Sequence, residues 1–402
     1  MFDTNEIVDL CKEFARKAKL GNVPSNKKVW SNSEKQEFKK TCLYFDSDNS
    51  FAEFFDNSTG YTLTTNILKF KPIPGTGPRV EVIDTGIEPV SRNFPELLDI
   101  GIMGHCTCAN KCKINCYQSA ALHNTRPNMS FEIYKSIIDQ VKDRTYEIAL
   151  GGSGNPNDHE DFEKILKYTV DSGLVPNYTT ASILDEKQLE LSKKYCGAVA
   201  VSWHPGFYKE NENGDWTTQN VKPLYDWSTC QDYTEKSIEN LKKYGVKTNI
   251  HYVLSKESLA AAIDFLNEPE GFGKGINAVI FLRYKPVGLG KVSNCLDENA
   301  PDTEKFFEAV DNWINKSDVH KVGFDSCTVP LIQKFCKKVN DDSCIPCEGC
   351  RRSAYISPDG KLLPCSFGNQ DKSFYFDGTI EDFWKSKMAN DFRARKCCPW
   401  IK

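Results

Sequence analysis

The feature that most constrains this chain of 402 residues is where its 17 cysteines fall. Four lie between Cys106 and Cys116, and eight lie between Cys327 and Cys398. The others, Cys11, Cys42, Cys196, Cys230 and Cys295, are scattered and are expected to act as small buried apolar residues. The opening residues Met1 to Glu6 lack the basic and then apolar blocks of a signal peptide, which predicts a cytoplasmic protein. There thiols stay reduced, so disulfides do not account for the two groups. Two dense cysteine groups far apart in sequence predict two thiolate-ligated metal centres.

Between the groups the sequence alternates strand-like and helix-like segments. Strands are expected at Leu97–Met103, Glu147–Leu150, Val175–Ile183, Ala198–Trp203, Val246–Leu254 and Ala278–Tyr284, with a weaker one at Val322–Phe324. Helices are expected at Phe131–Val141, Asp158–Val170, Glu186–Lys194, Thr234–Tyr244, Leu259–Leu266 and Glu304–Ile314. Roughly seven strands alternating with helices over about 230 residues predict an α/β fold with a parallel sheet, closer to a partial (β/α) TIM-like barrel than to a doubly wound sheet. Ligands of such folds gather at the carboxyl ends of the strands. Cys106–Cys116 follows the first strand, Gly151–Pro156 the second and Ser202–Pro205 the fourth. Residues 1–95 read as an N-terminal extension, with an amphipathic helix at Thr4–Leu20 and then an irregular stretch with strand-like pieces such as Tyr61–Leu68. Residues 96–330 read as the barrel and 331–402 as a small cysteine-rich module.

Composition narrows the partners. With 40% hydrophobic and 26% charged residues the chain can bury a core. A net charge of −4 gives no electrostatic reason to expect nucleic acid or an anionic membrane, and no apolar run reaches the roughly 20 residues of a membrane helix.

The first cysteine group reads His105-Cys106-Thr107-Cys108-Ala109-Asn110-Lys111-Cys112-Lys113-Ile114-Asn115-Cys116-Tyr117. It resembles the loop of the radical S-adenosylmethionine (SAM) superfamily, in which three cysteines after the first strand of a partial barrel follow C-x3-C-x2-C with an aromatic beside the last. Here Cys108, Cys112 and Cys116 follow C-x3-C-x3-C, and Cys106 is an alternative to Cys108. The resemblance implies a [4Fe-4S] cluster on three thiolates, its fourth iron open to SAM, with Tyr117 beside it. It also places Gly151, Gly152, Ser153 and Gly154 where the family receives the SAM amino group, Ser202 near the SAM ribose or carboxylate, and Pro286-Val287-Gly288 near the adenine.

The second group reads Cys344-Ile345-Pro346-Cys347-Glu348-Gly349-Cys350 and continues to Cys365. Cys350, Gly360 and Cys365 match the C-x9–15-G-x4-C pattern of the twitch and SPASM modules found at the C-terminus of radical SAM enzymes. Pro358-Asp359-Gly360 is a tight turn that would return Cys365 beside Cys350. The resemblance implies one auxiliary iron–sulfur cluster of the twitch kind on Cys347, Cys350, Cys365 and Cys398, with Cys327, Cys344 and Cys397 as further candidates.

The function so implied is reductive cleavage of SAM to a 5′-deoxyadenosyl radical that abstracts a substrate hydrogen. The substrate ranked first is a ribosomally made peptide or a protein side chain, with a small molecule or nucleotide second, and an electron donor such as flavodoxin or ferredoxin is implied. The aromatic stretch Trp203 to Trp216, with His204, is a candidate lining for the substrate site. From another class, a zinc-binding interaction protein would explain the tail, with a zinc ribbon on Cys344, Cys347, Cys350 and Cys365, but not the loop cysteines of the barrel.

Overall fold

A computed structural model describes residues 3–30, 40–107, 116–120, 125–203, 209–210, 216–217, 230–267, 275–314, 321–340, 344–395 and 398–401. Helix α1 (Thr4–Lys19) starts at Asp3, whose carboxylate accepts from the Asn5 amide, and ends with Arg16, Lys17 and Lys19 against the negative end of its dipole. Its face of Ile7, Cys11, Phe14, Ala15 and Ala18 packs on an antiparallel sheet of β1 (Val29–Trp30), β2 (Thr41–Asp46), β3 (Phe51–Asp56) and β4 (Tyr61–Thr64). A ribbon of β5 (Leu68–Pro72) and β6 (Val80–Asp84) follows.

The expected irregular stretch is thus an ordered sheet. Strands β2 and β3 are buried at all six positions. Leu43, Phe45, Ala52 and Phe54 face α1, while Cys42, Tyr44 and Phe55 face Tyr146 and Val175. With both faces covered, apolar and polar residues do not alternate, and the period-two signal of a half-buried strand is absent.

The next elements alternate as the sequence predicts: β7 (Leu97–Met103), α2 (Phe131–Val141), β8 (Glu147–Gly152), α3 (Phe162–Asp171), β9 (Val175–Thr180), α4 (Glu186–Tyr195) and β10 (Val199–Trp203). After the two-residue pair β11 (Lys209–Glu210) and β12 (Trp216–Thr217) come α5 (Cys230–Lys243), β13 (Thr248–Leu254), α6 (Leu259–Asn267), β14 (Ala278–Arg283), α7 (Pro301–Ile314) and β15 (Lys321–Phe324). Strands β7, β8, β9, β10, β13, β14 and β15 pair in parallel in that order. This is the α/β, partial-barrel architecture expected from the alternation. Leu98, Ile100, Ile148, Leu150, Val199, Val201, Ile250 and Val279 bury the strands' outer face against the helices in one core.

The tail comprises α8 (Val329–Phe335), β16 (Ser353–Ile356), β17 (Leu362–Leu363), α9 (Ile380–Lys385) and α10 (Lys387–Arg393). It is not set apart from the barrel sheet. Strand β16 adds in parallel to the free edge of β7, Ser353 opposite Leu97 and Ile356 opposite Ile100, and β17 returns antiparallel to it. The turn between them uses Gly360 at φ +79°, the left-handed region that favours glycine.

One buried ionic network joins all three regions. Glu53 on β3 meets Arg92 Nε at 3.0 Å and Arg352 Nη1 at 3.2 Å, and Arg352 also meets Glu96 at 2.9 Å. The Tyr146 hydroxyl donates to Glu53 at 3.0 Å, and the Arg92 guanidinium lies 3.7 Å from the Tyr44 ring centroid and 4.7 Å from that of Tyr146. Arg92 and Glu53 have no exposed side-chain surface, so neither charge has water to fall back on. Replacing Glu53 by Gln leaves the fully buried Arg92 guanidinium short of its carboxylate, while Arg352 keeps Glu96. Urea unfolding should then show a loss of roughly 3–5 kcal/mol, and a loss near zero would show that the network is dispensable.

Candidate functional site

The root of the first cysteine loop is held by close backbone packing. Strand β7 slips register against β8 between Gly101 and Met103, and the Ser153 amide donates to the Met103 carbonyl at 2.8 Å. A Cβ on Gly152, whose φ is +118°, would run into the Met103 carbonyl, and one on Gly154 would run into that of His105. Gly104 is pressed in the same way against the Pro127 carbonyl. His105 Nδ1 pairs with the Arg126 carbonyl at 3.0 Å, and Thr107 Oγ1 donates to Asp158 at 3.3 Å. Gly152 and Gly154 therefore have a task the sequence did not reveal: they let the second strand's loop brace the stem of the cysteine loop. Gly151 is less confined, its nearest neighbour being Asp99 Oδ1 at 3.6 Å from a Cβ position.

Cys108 and Cys112 lie outside the described residues, as do His204 and residues 205–208. Cys106 and Cys116 flank the first pair and are half-buried. The Cys116 carbonyl accepts from the amides of Ser119 and Leu289, both at 3.0 Å. A Cβ on Gly288, in the Pro286–Gly288 segment, would run into the Tyr117 carbonyl, so the loop after β14 sits directly on the far stem of the cysteine loop. Ser202, half-buried near the end of β10, pairs with His251 of β13.

The second group gathers more sulfurs than the expected four. Cys347, Cys350, Cys365 and Cys398 interact electrostatically in a chain running through Cys365. Cys327, just beyond β15, joins them through a hydrogen bond with Cys398 and electrostatic contact with Cys347 and Cys365. Cys344 instead neighbours Cys336, and Cys397 lies outside the described residues. Backbone amides of Gly349, Phe367 and Trp400 donate to Cys347, Cys365 and Cys398, and Trp400 Nε1 donates to Cys365 Sγ at 3.2 Å. Such donors are what thiolates need. Burial, however, pushes the Cys365 thiol up to about 11 and the Cys350 thiol up to about 12. Without a cation these sulfurs stay protonated; a bound metal would hold them ionised. Among the described residues no three Cys, His, Asp or Glu side chains stand close enough together to hold a single metal ion.

No protein-family model matches the chain and no curated protein matches it. Solved structures do. SuiB of Streptococcus suis bound to S-adenosylmethionine superposes with a TM-score of 0.55 at 17% identity, over 76% of this chain and 69% of SuiB. SuiB alone matches at 0.55 and 18%, with the same coverage, and SuiB bound to its precursor peptide SuiA at 0.55 and 16%, over 76% and 68%. The chain has the fold of SuiB.

On this fold the space between the two cysteine groups is lined by residues that the sequence did not single out. Asp99, midway along β7, has Ser366 as a hydrogen-bond partner, and Gly101 leaves the room that the Tyr355 hydroxyl fills. Gln118, two residues past Cys116, accepts from Asn369 at 2.9 Å, and the Tyr117 ring rests 5.0 Å from that of Phe367, two residues past Cys365. No sequence signal marks Asp99, which sits inside an apolar strand. Its burial pushes the carboxyl up to about 7. A raised folded-state value means that the stability associated with its proton is complete below the unfolded value of about 4 and is lost as pH rises through about 7. Asp99→Asn should therefore melt above wild type at pH 8, with the gap closing as the pH falls toward 5; a gap constant across this range would show that Asp99 is not the titrating group.

Proposed function

We propose that this chain is a radical SAM enzyme with an auxiliary iron–sulfur centre, acting on a peptide or protein side chain. The observation that carries the reading is the placement of the two cysteine groups. One is rooted at the carboxyl end of the first barrel strand, and the other lies one aromatic contact away through Tyr117 and Phe367. In this reading Cys108, Cys112 and Cys116 hold the SAM-binding cluster, with Cys106 the alternative to Cys108. Cys347, Cys350, Cys365, Cys398 and, of the further candidates, Cys327 supply the auxiliary ligands. With SAM bound, the first cluster would supply one-electron cleavage of the sulfonium, giving the 5′-deoxyadenosyl radical that removes a substrate hydrogen.

The protein's own share is positioning. The braced Gly152–Gly154 segment fixes the height of the cysteine loop over the barrel mouth. The Cys116 carbonyl, pinned by Leu289, keeps the loop after β14 over the same mouth. Tyr117 and Phe367 wall off the space between the groups, and Asp99 offers the substrate a carboxyl there. A peptide substrate is favoured because SuiB, whose fold this chain shares, has been solved with its precursor peptide SuiA.

Anaerobic reconstitution tests the reading. The expected result is a brown protein with several irons per chain that converts SAM to 5′-deoxyadenosine. Cys112→Ala should abolish that conversion, while Cys365→Ala should retain uncoupled cleavage with reduced iron content. Cys327→Ala should also lose iron, and an unchanged content would remove it from the ligand set. A colourless, zinc-loaded protein would reject the proposal.

A further inference from the structure

The loop after β14 carries a buried lysine that the proposed chemistry does not use. Lys285 Nζ has no exposed surface, pairs with Asp325 at 2.9 Å, donates to the Arg283 carbonyl at 2.9 Å and lies 4.0 Å from the centre of the Phe367 ring. Both partners lead to the second cysteine group: Asp325 precedes Cys327 by two residues, and Phe367 follows Cys365 by two. Lys285 is within electrostatic reach of Cys327 and Cys398, and Asp325 of Cys327. Asp325 is fixed in turn by the Thr328 hydroxyl, which donates to it at 2.6 Å, and by the Arg283 amide at 3.2 Å. An ammonium with no exposed surface and a mostly buried carboxylate are therefore locked beside the sulfurs. A buried pair is a costly way to gain stability, since both ions lose their hydration and Coulomb attraction does little more than repay it. Where charges lie next to a redox centre, they act on its potential instead.

We propose that the Lys285–Asp325 pair is the electrostatic control of the second cysteine centre, with Lys285 favouring its reduced form and Asp325 its oxidised form. Reduction adds one electron to the centre. A fixed positive charge nearby lowers the energy of that added charge, and a fixed negative charge raises it. Lys285 is thus a positioning residue: it need not touch substrate. The role rests on the auxiliary iron–sulfur reading above.

The test uses the full chain with Cys108, Cys112 and Cys116 replaced by alanine, so that iron in the tail alone is observed. It is reconstituted anaerobically and titrated with dithionite, with the reduced signal followed by electron paramagnetic resonance. Lys285→Met should shift the midpoint potential to more negative values at unchanged iron content, and Asp325→Asn should shift it to more positive values. The double variant should return toward the parent, a result that a merely structural role would not give. If Lys285→Met fails to fold, as judged by its melting curve, the Asp325→Asn shift and the double variant carry the test. Single variants that leave the potential of an iron-loaded protein in place, or move it in the same direction, overturn the proposal. A parent protein that binds no iron overturns instead the auxiliary-cluster reading on which it stands.

Discussion

Strand β7 is hydrogen-bonded on both sides, to β8 within the barrel and to β16 from the tail, and the placement of the site follows from that one strand. Its carboxyl end launches the first cysteine loop. Its free edge, which would otherwise present unpaired amides and carbonyls, captures the hairpin that carries Cys365 back toward Cys350. The opposite edge of the sheet ends at β15, and Cys327 follows immediately. The tail therefore spans the opening between the two edges of an unclosed barrel. Contacts on both sides mark that span: the β16 ladder on one, and on the other the Glu348 amide at 3.4 Å from Ser326 Oγ together with Lys285 over Phe367.

The barrel was legible because each of its segments has a period. Phe131–Val141 was readable to the residue, its helical spacing framed by Ser130 as a cap that accepts from the Ile133 amide. Strand ends were less exact, Val175 running to Thr180 rather than Ile183, because a strand ends where its ladder does and not where its apolar residues stop. The N-terminal sheet was misread for the opposite reason: its two central strands are apolar on both faces, and doubly buried strands do not alternate. Glycines misled in another way. Their clustering after the second strand was visible, but that Gly152 and Gly154 answer to the carbonyls of Met103 and His105 depends on two loops meeting in space. The tail's ligand set was partly readable, since Cys350, Gly360 and Cys365 sit at fixed offsets within one hairpin. Cys327 belongs to a different element, and only the tail's crossing of the open barrel brings Cys398 to it.

The chemistry of the sulfurs bears on folding as well as on function. Buried thiols resist ionisation, as the raised values of Cys350 and Cys365 show, yet Cys365 accepts from the Phe367 amide and Trp400 Nε1, which favour the thiolate. An arrangement that is uncomfortable for thiols and ready for thiolates transfers part of the tail's organisation to whatever cation it holds. Cys11 and Cys42 are the contrast. They are equally buried, but each sits among apolar side chains, Cys42 in the patch shared by Tyr44, Phe55, Tyr146 and Val175, and burial holds both thiols well up.

The network around Glu53 explains why an extension of 95 residues sits against a barrel whose strands and helices already share one core. Arg352 lies two residues past Cys350 and begins the run into β16, and its guanidinium is shared between Glu53 of the N-terminal sheet and Glu96 at the foot of β7. Arg92 holds the other oxygen of Glu53, and its carbonyl accepts from Trp384 Nε1 on α9 at 2.9 Å. One carboxylate thus fixes the start of the tail hairpin relative to the first barrel strand, at the end opposite the stem of the first cysteine loop. A short strand such as β16, with four residues in its ladder, gains little from hydrogen bonds alone. Its register against β7 is then set from outside the ladder, by the buried pairs of Arg352 with Glu53 and Glu96. The N-terminal sheet acts in this way on the spacing of the two cysteine groups without contributing a residue to either.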